Sequence, residues 1–462
     1  MNQEKPRLIA LKILDSASVD EQKSNDANAE LIDNKSIKVK YYSPITTEKT
    51  EFIEERIEKT LASSSLSEPD RRLVKELCIG VKKWQLTLDW FISSKTKLPP
   101  KQHTLANILR LGVYQIVFLT KIPDHAAVNE MVELTKQVGL KKFTALVNAV
   151  LRAFARERES AREKLKELKQ NQPHLGYSHP QWLFERWVSN YGKQNAIQLL
   201  KWNNIPSRTF ARVNTLKTSA ADLAKLWDSE QVRYKPVSYE WTGENVVFEI
   251  KKHPPLNTLN SLKDGLFYIQ DPSTLMAVKL LEPHGGEKIL DYCAAPGGKT
   301  TYIAQLTNNN ASIIAYDNNP LRLKILEENI ARLGVKNCLI IRPGDEAKII
   351  NNAPYDKILV DVPCSNTGVM RRRVELRWRL KPQKFKMFQT LQLQILTNAS
   401  GFLKPGGSLV YSTCSIDPEE NTEVIKKFIE NNPGWRLDCE KQLFPFRDGV
   451  DGAYAARLIR EK

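Results

Sequence analysis

From Phe52 to about Ala155, apolar residues return every three or four positions, the spacing of one face of a helix. Phe143, Leu146, Val147, Val150, Leu151 and Phe154 make one such stripe, and Val128, Met131, Val132, Thr135 and Val138 make another. Short connections such as Lys121-Ile-Pro-Asp and Val138-Gly-Leu separate them, so the pattern predicts an all-α bundle over residues 1–155. A short helix is expected over Arg7-Leu-Ile-Ala-Leu-Lys-Ile-Leu14. From about 15 to 50 the chain is rich in Ser, Asp, Asn, Glu and Lys with few anchors, and reads as a long mobile insertion.

The pattern then changes twice. Residues 152–170 are strongly charged with few apolar positions after Phe154 and read as a solvated helix, part of a linker over 156–178. Trp182, Leu183, Trp187, Ile197 and Leu200 restore a short helical face. Strand-like Thr209-Phe-Ala-Arg-Val-Asn, helix-like 219–226 and strand-like Val246-Val-Phe-Glu-Ile follow. Strand, helix and strand so close together predict a small α+β unit of ferredoxin-like type over 179–270. At Asp271-Pro272 a helix cap opens the last region, 271–462, where strands and helices alternate. Apolar runs end at Asp291, Asp317, Asp361 and Thr413, and a further run from Cys338 leads to Gly344-Asp345. Polar residues gathered at strand ends are the mark of ligand sites in open parallel sheets, so this region is expected to be α/β and Rossmann-like.

Charge sharpens the picture. Across 462 residues, 69 Lys and Arg against 53 Asp and Glu leave a net charge of +16, which favours a polyanionic partner. No window approaches a membrane span, and the first residues lack the apolar core of a signal peptide, so a cytoplasmic protein is expected. The six cysteines form no Cys-x-x-Cys pair and have no His at ligand spacing, which disfavours zinc and fits free thiols.

The candidate chemistry sits in three stretches. Lys288-Ile-Leu-Asp-Tyr-Cys-Ala-Ala-Pro-Gly-Gly-Lys-Thr300 reads as a strand, a glycine turn and a helix start, where backbone can approach a cofactor closely. Asp361-Val-Pro-Cys364-Ser and Ser412-Thr-Cys414-Ser place a thiol just past two strands, so both are expected to face the crevice of that turn. Asp417-Pro-Glu-Glu420 reads as a helix cap with a capping-box acid, which would set Cys414 just ahead of a helix. Cys78, Cys338 and Cys439 read as small buried hydrophobes, and Cys293 as a residue chosen for size.

Together Cys293-Ala-Ala-Pro-Gly-Gly-Lys-Thr300, Asp361-Val-Pro-Cys364-Ser-Asn-Thr-Gly and Ser412-Thr-Cys414-Ser-Ile-Asp-Pro-Glu-Glu-Asn421 resemble the signature set of RNA cytosine-C5 methyltransferases of the NOL1/NOP2/Sun family. The helical region resembles the NusB-like RNA-binding domain of the bacterial small-subunit (16S) rRNA member. Asn366 is a departure, standing where the family usually has Gly. The resemblance implies S-adenosylmethionine as methyl donor, held by Cys293, Ala294, Ala295, Pro296, Gly297, Gly298 and Lys299, by Asp317 on the ribose, Asp345 near the adenine and Asp361 at the crevice floor. It implies Cys414 as the nucleophile on cytosine C6 and Cys364 as the residue that completes the reaction. Asp361 and Lys299 are expected to support the adduct.

Five arginines and Trp378 within Val369–Arg379 suit phosphate contacts and base stacking. The expected partner is therefore RNA, most of all 16S rRNA, bound by a monomer without metal or membrane. Two other readings stay open. One moves the same chemistry to tRNA or another RNA; the other is a non-catalytic RNA-binding assembly or antitermination factor.

Overall fold

The computed structural model describes residues 5–30 and 51–461, with the side chains of 19–30 excepted. The described chain forms two compact units. One runs through Ile205 and takes in Met370–Leu380 from far along the sequence; the other holds Pro206–Val369 and the chain from Lys381 on.

The first unit is helical, and His103–Phe118 is its central helix. Buried positions surround it, including Ile108, Leu109, Leu111, Val113 and Ile116, as expected of a helix with neighbours on all sides. Leu77, Met131, Val147, Val150, Leu151 and Phe154 join the same core, which confirms both apolar stripes. Two expectations change. The first helix is Pro6–Glu30, well past Leu14, while the rest of the expected insertion lies outside the described residues. The charged linker stretch is helical as expected, over Arg158–Asn171, but it is not solvated all round: Ala161, Leu165 and Leu168 are buried. Three apolar residues at helical spacing are enough to seat a narrow face even among many charges. Helices Gln181–Tyr191 and Lys193–Trp202 group with this unit by their contacts.

Met370–Leu380 forms a strap in this helical unit. Val374 is part of the core. Arg377, fully buried, donates to the carbonyls of Lys83 (3.1 Å), Ser178 (3.2 Å) and Asn203 (3.1 Å) and to Asn204 Oδ1 (2.9 Å). Trp378 Nε1 donates to the Lys82 carbonyl (2.8 Å), and the Arg371 guanidinium lies 4.1 Å from the centre of the Trp202 ring. Arg373 pairs with Glu55 (2.7 Å), and Arg379 with the buried Glu375 (2.7 Å). Trp378 and these arginines, expected to meet RNA, thus make contacts within their own unit, with carbonyls, carboxylates and the Trp202 ring.

In the second unit, β1 (Thr209–Val213), β2 (Arg233–Val237), β3 (Val247–Lys252) and β4 (Phe267–Ile269) form an antiparallel sheet in the order β2-β3-β1-β4. Helix Ala220–Ser229 links β1 to β2; only the four-residue helix Asn260–Lys263 and a short 3-10 turn stand between β3 and β4. This is the ferredoxin-like arrangement with a reduced second helix. One face of the sheet packs on Leu223 and Trp227. The other, through Phe210 and Val247, joins a core with Leu275, Met276 and Val278.

That second core belongs to a seven-stranded sheet. Its strands are β5 (Lys288–Tyr292), β6 (Ser312–Tyr316), β7 (Cys338–Ile341), β8 (Tyr355–Asp361), β9 (Leu403–Thr413), β10 (Trp435–Leu443) and β11 (Ala453–Arg460), in the order β10-β11-β9-β8-β5-β6-β7. β5 to β9 pair in parallel and β11 runs antiparallel between β9 and β10. Ile289, Leu290, Ile313, Ile314, Ile358, Leu359 and Val410 are buried, the apolar runs of a sheet covered on both faces. Strand order reverses at β5, which pairs with both β6 and β8, and in open α/β sheets ligands bind outside the carboxyl ends of the strands at such a point.

Candidate active site

The glycine turn follows β5 directly. Cys293 and Gly297 both adopt left-handed backbone, φ +85° and +100°, and the Ala295–Pro296 bond between them is cis. The amides of Cys293 and Ala294 donate to the Tyr316 carbonyl at the end of β6 (2.9 and 2.8 Å), so the turn is tied to the neighbouring strand. Arg322 donates to the Ala295 carbonyl and Asn329 to that of Pro296 (2.9 Å). A side chain at Gly297 would meet Leu326 Cδ1 at 2.6 Å, which explains the glycine twice over. Gly298–Leu306 is then helical, and its first amides face outward without a carbonyl one turn back.

The small α+β unit braces this helix start. Arg212 of β1, 1% exposed, donates to the Gly298 carbonyl (2.7 Å), Thr301 Oγ1 (2.8 Å) and Gln270 Oε1 (2.5 Å). Burial pulls this guanidinium down to about 10. It lies 4.9 Å from the centre of the Tyr302 ring and 5.4 Å from that of Tyr268.

Acids mark the ends of four consecutive sheet positions. Asp317, just after β6, accepts from the amides of Ala295 (3.1 Å) and Asn319 (2.9 Å) and is 3% exposed. Asp361, the last residue of β8, takes the Lys299 ammonium at 2.5 Å and the Ser412 hydroxyl at 2.7 Å. Burial pulls the Lys299 ammonium down, but the charge and hydrogen bond of Asp361 outweigh it, and the net shift is upward. Asp345 stands apart, exposed beyond β7 and paired with Lys348 (2.8 Å).

In the sequence Asp291 stands only as the end of an apolar run, with no site role of its own. It is fully buried within β5; Thr300 donates to its Oδ2 (2.6 Å), while its Oδ1 has no hydrogen-bond partner among the described residues. Burial pushes its carboxyl up to about 7, against the partial relief of that hydrogen bond.

The two cysteines meet. Cys364 Sγ and Cys414 Sγ are 3.2 Å apart, and Cys414 Sγ is 2.8 Å from Asn366 Oδ1. Contact with Cys414 and burial push the Cys364 thiol well up. Burial and nearby carboxylates do the same to Cys293, which fits a packing role. Cys414 is a lesser contributor, after Asp361, to the upward shift of the Lys299 ammonium.

Beneath the cysteines lies a buried polar network that the sequence reading assigned otherwise. Glu420 is no capping acid: its Oε2 accepts from the Ser365 amide (2.8 Å) and Gln392 (2.9 Å), and its Oε1 from Ser415 (2.9 Å). Burial raises its carboxyl to about 7. Asp417 accepts from Thr367 Oγ1 (2.6 Å), and only a 3-10 turn, Pro418–Glu420, follows it. The helix starts later, at Thr422. The expected helix start beside Cys414 is thus replaced by side chains that clamp the Cys364 loop to the Cys414 loop. Among the described residues no cluster of His, Cys, Asp and Glu could hold a metal, and no helix is long and apolar enough to cross a membrane.

Residues 278–459 match the family model of the 16S rRNA methyltransferase RsmB/F, 36–156 that of the NusB family, and 179–243 that of the ferredoxin-like domain of RsmF/B-like methyltransferases. The chain is 33% identical over 392 residues to the probable ribosomal RNA small subunit methyltransferase B of Bacillus subtilis, covering 84% of this chain and 86% of that protein. It is 33% identical over 410 residues to ribosomal RNA small subunit methyltransferase B of Klebsiella pneumoniae, covering 86% and 92%. Among solved structures, a methyltransferase homologue from Pyrococcus horikoshii is 30% identical with a TM-score of 0.54, covering 63% of this chain and 97% of that one.

Proposed function

This chain belongs to the RsmB branch of the NOL1/NOP2/Sun family of rRNA cytosine-C5 methyltransferases, and from that premise we propose that it methylates C5 of a cytosine in 16S rRNA through a covalent Cys414 adduct. The observation that carries the reading is the meeting of two thiols, 3.2 Å apart, on loops that leave the neighbouring parallel strands β8 and β9.

Cytosine C5 is a poor nucleophile, which is why two thiols are useful. The Cys414 sulfur, as thiolate, bonds to C6, and the electron pair of the C5–C6 double bond moves onto C5 and into the ring. Once C5 carries the new methyl group, its remaining proton must leave. Cys364, having first lost its own S–H proton to solvent, takes it as a thiolate; contact with Cys414 and burial push this thiol well up, which makes its thiolate a strong base. The pair left behind re-forms the C5–C6 double bond and expels Cys414. Asp361, anchored by Lys299 and Ser412, is positioned to hydrogen-bond the base edge.

S-adenosylmethionine supplies the methyl group when bound. The residues fit such a cation: Asp291, Asp317 and Asp361 line the strand ends, and Asp291 Oδ1 is a buried acceptor with no protein donor among the described residues. The turn from Cys293 to Lys299 would hold the donor, with Asp317 on the ribose and Asp345 near the adenine. The enzyme acts as a cytoplasmic monomer in this reading.

The test is incubation of the protein with labelled S-adenosylmethionine and unmodified small-subunit rRNA, followed by nucleoside analysis. Label in 5-methylcytidine is expected. Label only in tRNA would move the substrate, and tight RNA binding without transfer to any RNA would overturn the enzymatic reading.

A further inference from the structure

Asn366 occupies the left-handed region, φ +60°. Glycine, the usual residue of the family at this point, would make the same turn with less strain; asparagine tolerates it and adds an amide. That amide has one possible orientation. Its Nδ2 donates to the Cys364 carbonyl at 2.8 Å, and a carbonyl can only accept. Oδ1 therefore faces Cys414 Sγ, 2.8 Å away, and since Oδ1 is also only an acceptor, the hydrogen between them belongs to Cys414.

The direction of the second contact follows. With the Cys414 hydrogen directed at Asn366, the 3.2 Å contact between the sulfurs must be made by the Cys364 S–H, directed at the Cys414 sulfur. The protons are ordered along the line Cys364, Cys414, Asn366.

We propose that Asn366 is a positioning residue that holds the Cys414 S–H in the RNA-free site, orders the two thiol protons, and restrains the reactive sulfur until the base arrives. This rests on the reading of Cys414 as the nucleophile. Ionisation of Cys414, with its proton passing to solvent, removes the hydrogen that Asn366 accepts and so releases this clamp.

The experiment measures alkylation of Cys414 by iodoacetamide in the full-length, RNA-free protein at neutral pH, read on the Cys414 peptide by mass spectrometry. Asn366→Gly keeps the turn and removes the acceptor, and its Cys414 is expected to react roughly threefold to tenfold faster than wild type. Asn366→Asp also tolerates the turn but sets a carboxylate beside the sulfur, which disfavours the thiolate, and it is expected to react more slowly than wild type. A loop that had merely loosened would react faster in both variants; that result, or a wild-type rate in either, overturns the proposal. If one variant does not fold, the direction of the other decides. Failure of the underlying reading shows elsewhere: Cys414→Ala would retain methyl transfer while the alkylation rates still reported on Asn366.

Discussion

The sulfur atoms of Cys364 and Cys414 lie 3.2 Å apart although 50 positions separate them in the chain. Their meeting follows from strand register, since Asp361 at the end of β8 pairs with Ser412 of β9 and each cysteine lies just beyond.

The two thiols should differ in what their loss does. Cys414→Ala is expected to lower methyl transfer by at least roughly 10³-fold, because the step that activates C5 is gone. Cys364→Ala should still form the adduct but fail to resolve it. RNA that co-migrates with the protein on a denaturing gel, for Cys364→Ala and not for Cys414→Ala, is the expected result.

Lys299 and Asp361 should act as one device. Lys299→Met removes the ammonium from a carboxylate that keeps Ser412 and some water, so the fold should survive. Loss of a charge-assisted bond of this kind is expected to lower kcat/KM about 10- to 100-fold, with an unchanged melting temperature. Steady-state transfer assays and thermal melts measure the two quantities.

Asp291 should make stability depend on pH. Its carboxyl is raised to about 7 in the fold, so between about pH 4 and pH 7 the native state holds a proton that the unfolded chain has lost. Stability from this group is highest at low pH and falls as pH rises through that window. Asp291→Asn, which cannot ionise, should therefore raise the melting temperature more at pH 8 than at pH 5, by a difference on the order of a few kcal/mol in stability. Equal shifts at the two pH values would count against it. The same variant should bind S-adenosylmethionine more weakly.

Arg377→Ala should destabilise the helical unit by about 3–5 kcal/mol, since three carbonyls and the Asn204 amide oxygen lose their donor in a dry interior. Arg377→Lys should rescue little of this, because an ammonium cannot reproduce the planar fork. Denaturant titration of the full-length protein measures both.

Much of the catalytic region was legible because its signals are local. Gly297 marks a left-handed turn, and Asp317, Asp361 and Cys414 sit where apolar runs stop. The exceptions share a cause. Arg371, Arg377 and Arg379 look like any basic loop in sequence, because nothing nearby reveals that their partners are Trp202, Asn203 or Glu375 in the folded unit. Glu420 imitates a capping acid because the residues that bury it, Ser365 and Gln392, come from other elements. The edge strands β2 and β10 fully bury only Leu443 between them and so lack the alternation that betrays a half-buried strand. The helix Arg158–Asn171 was legible but its buried face was not, since its three apolar positions are few though correctly spaced.

The strap Met370–Leu380 also sets the order in which the protein can be completed. A ribosome releases the chain from its first residue, yet the helical unit that begins the chain lacks Val374 and Arg377 until most of the second unit has also been made. The first unit to be synthesised cannot be the first to finish. For the same reason no single cut separates the two: cleavage at the Ile205–Pro206 boundary leaves the helical fragment without its strap and the other fragment carrying a segment whose buried arginine has nothing to hold.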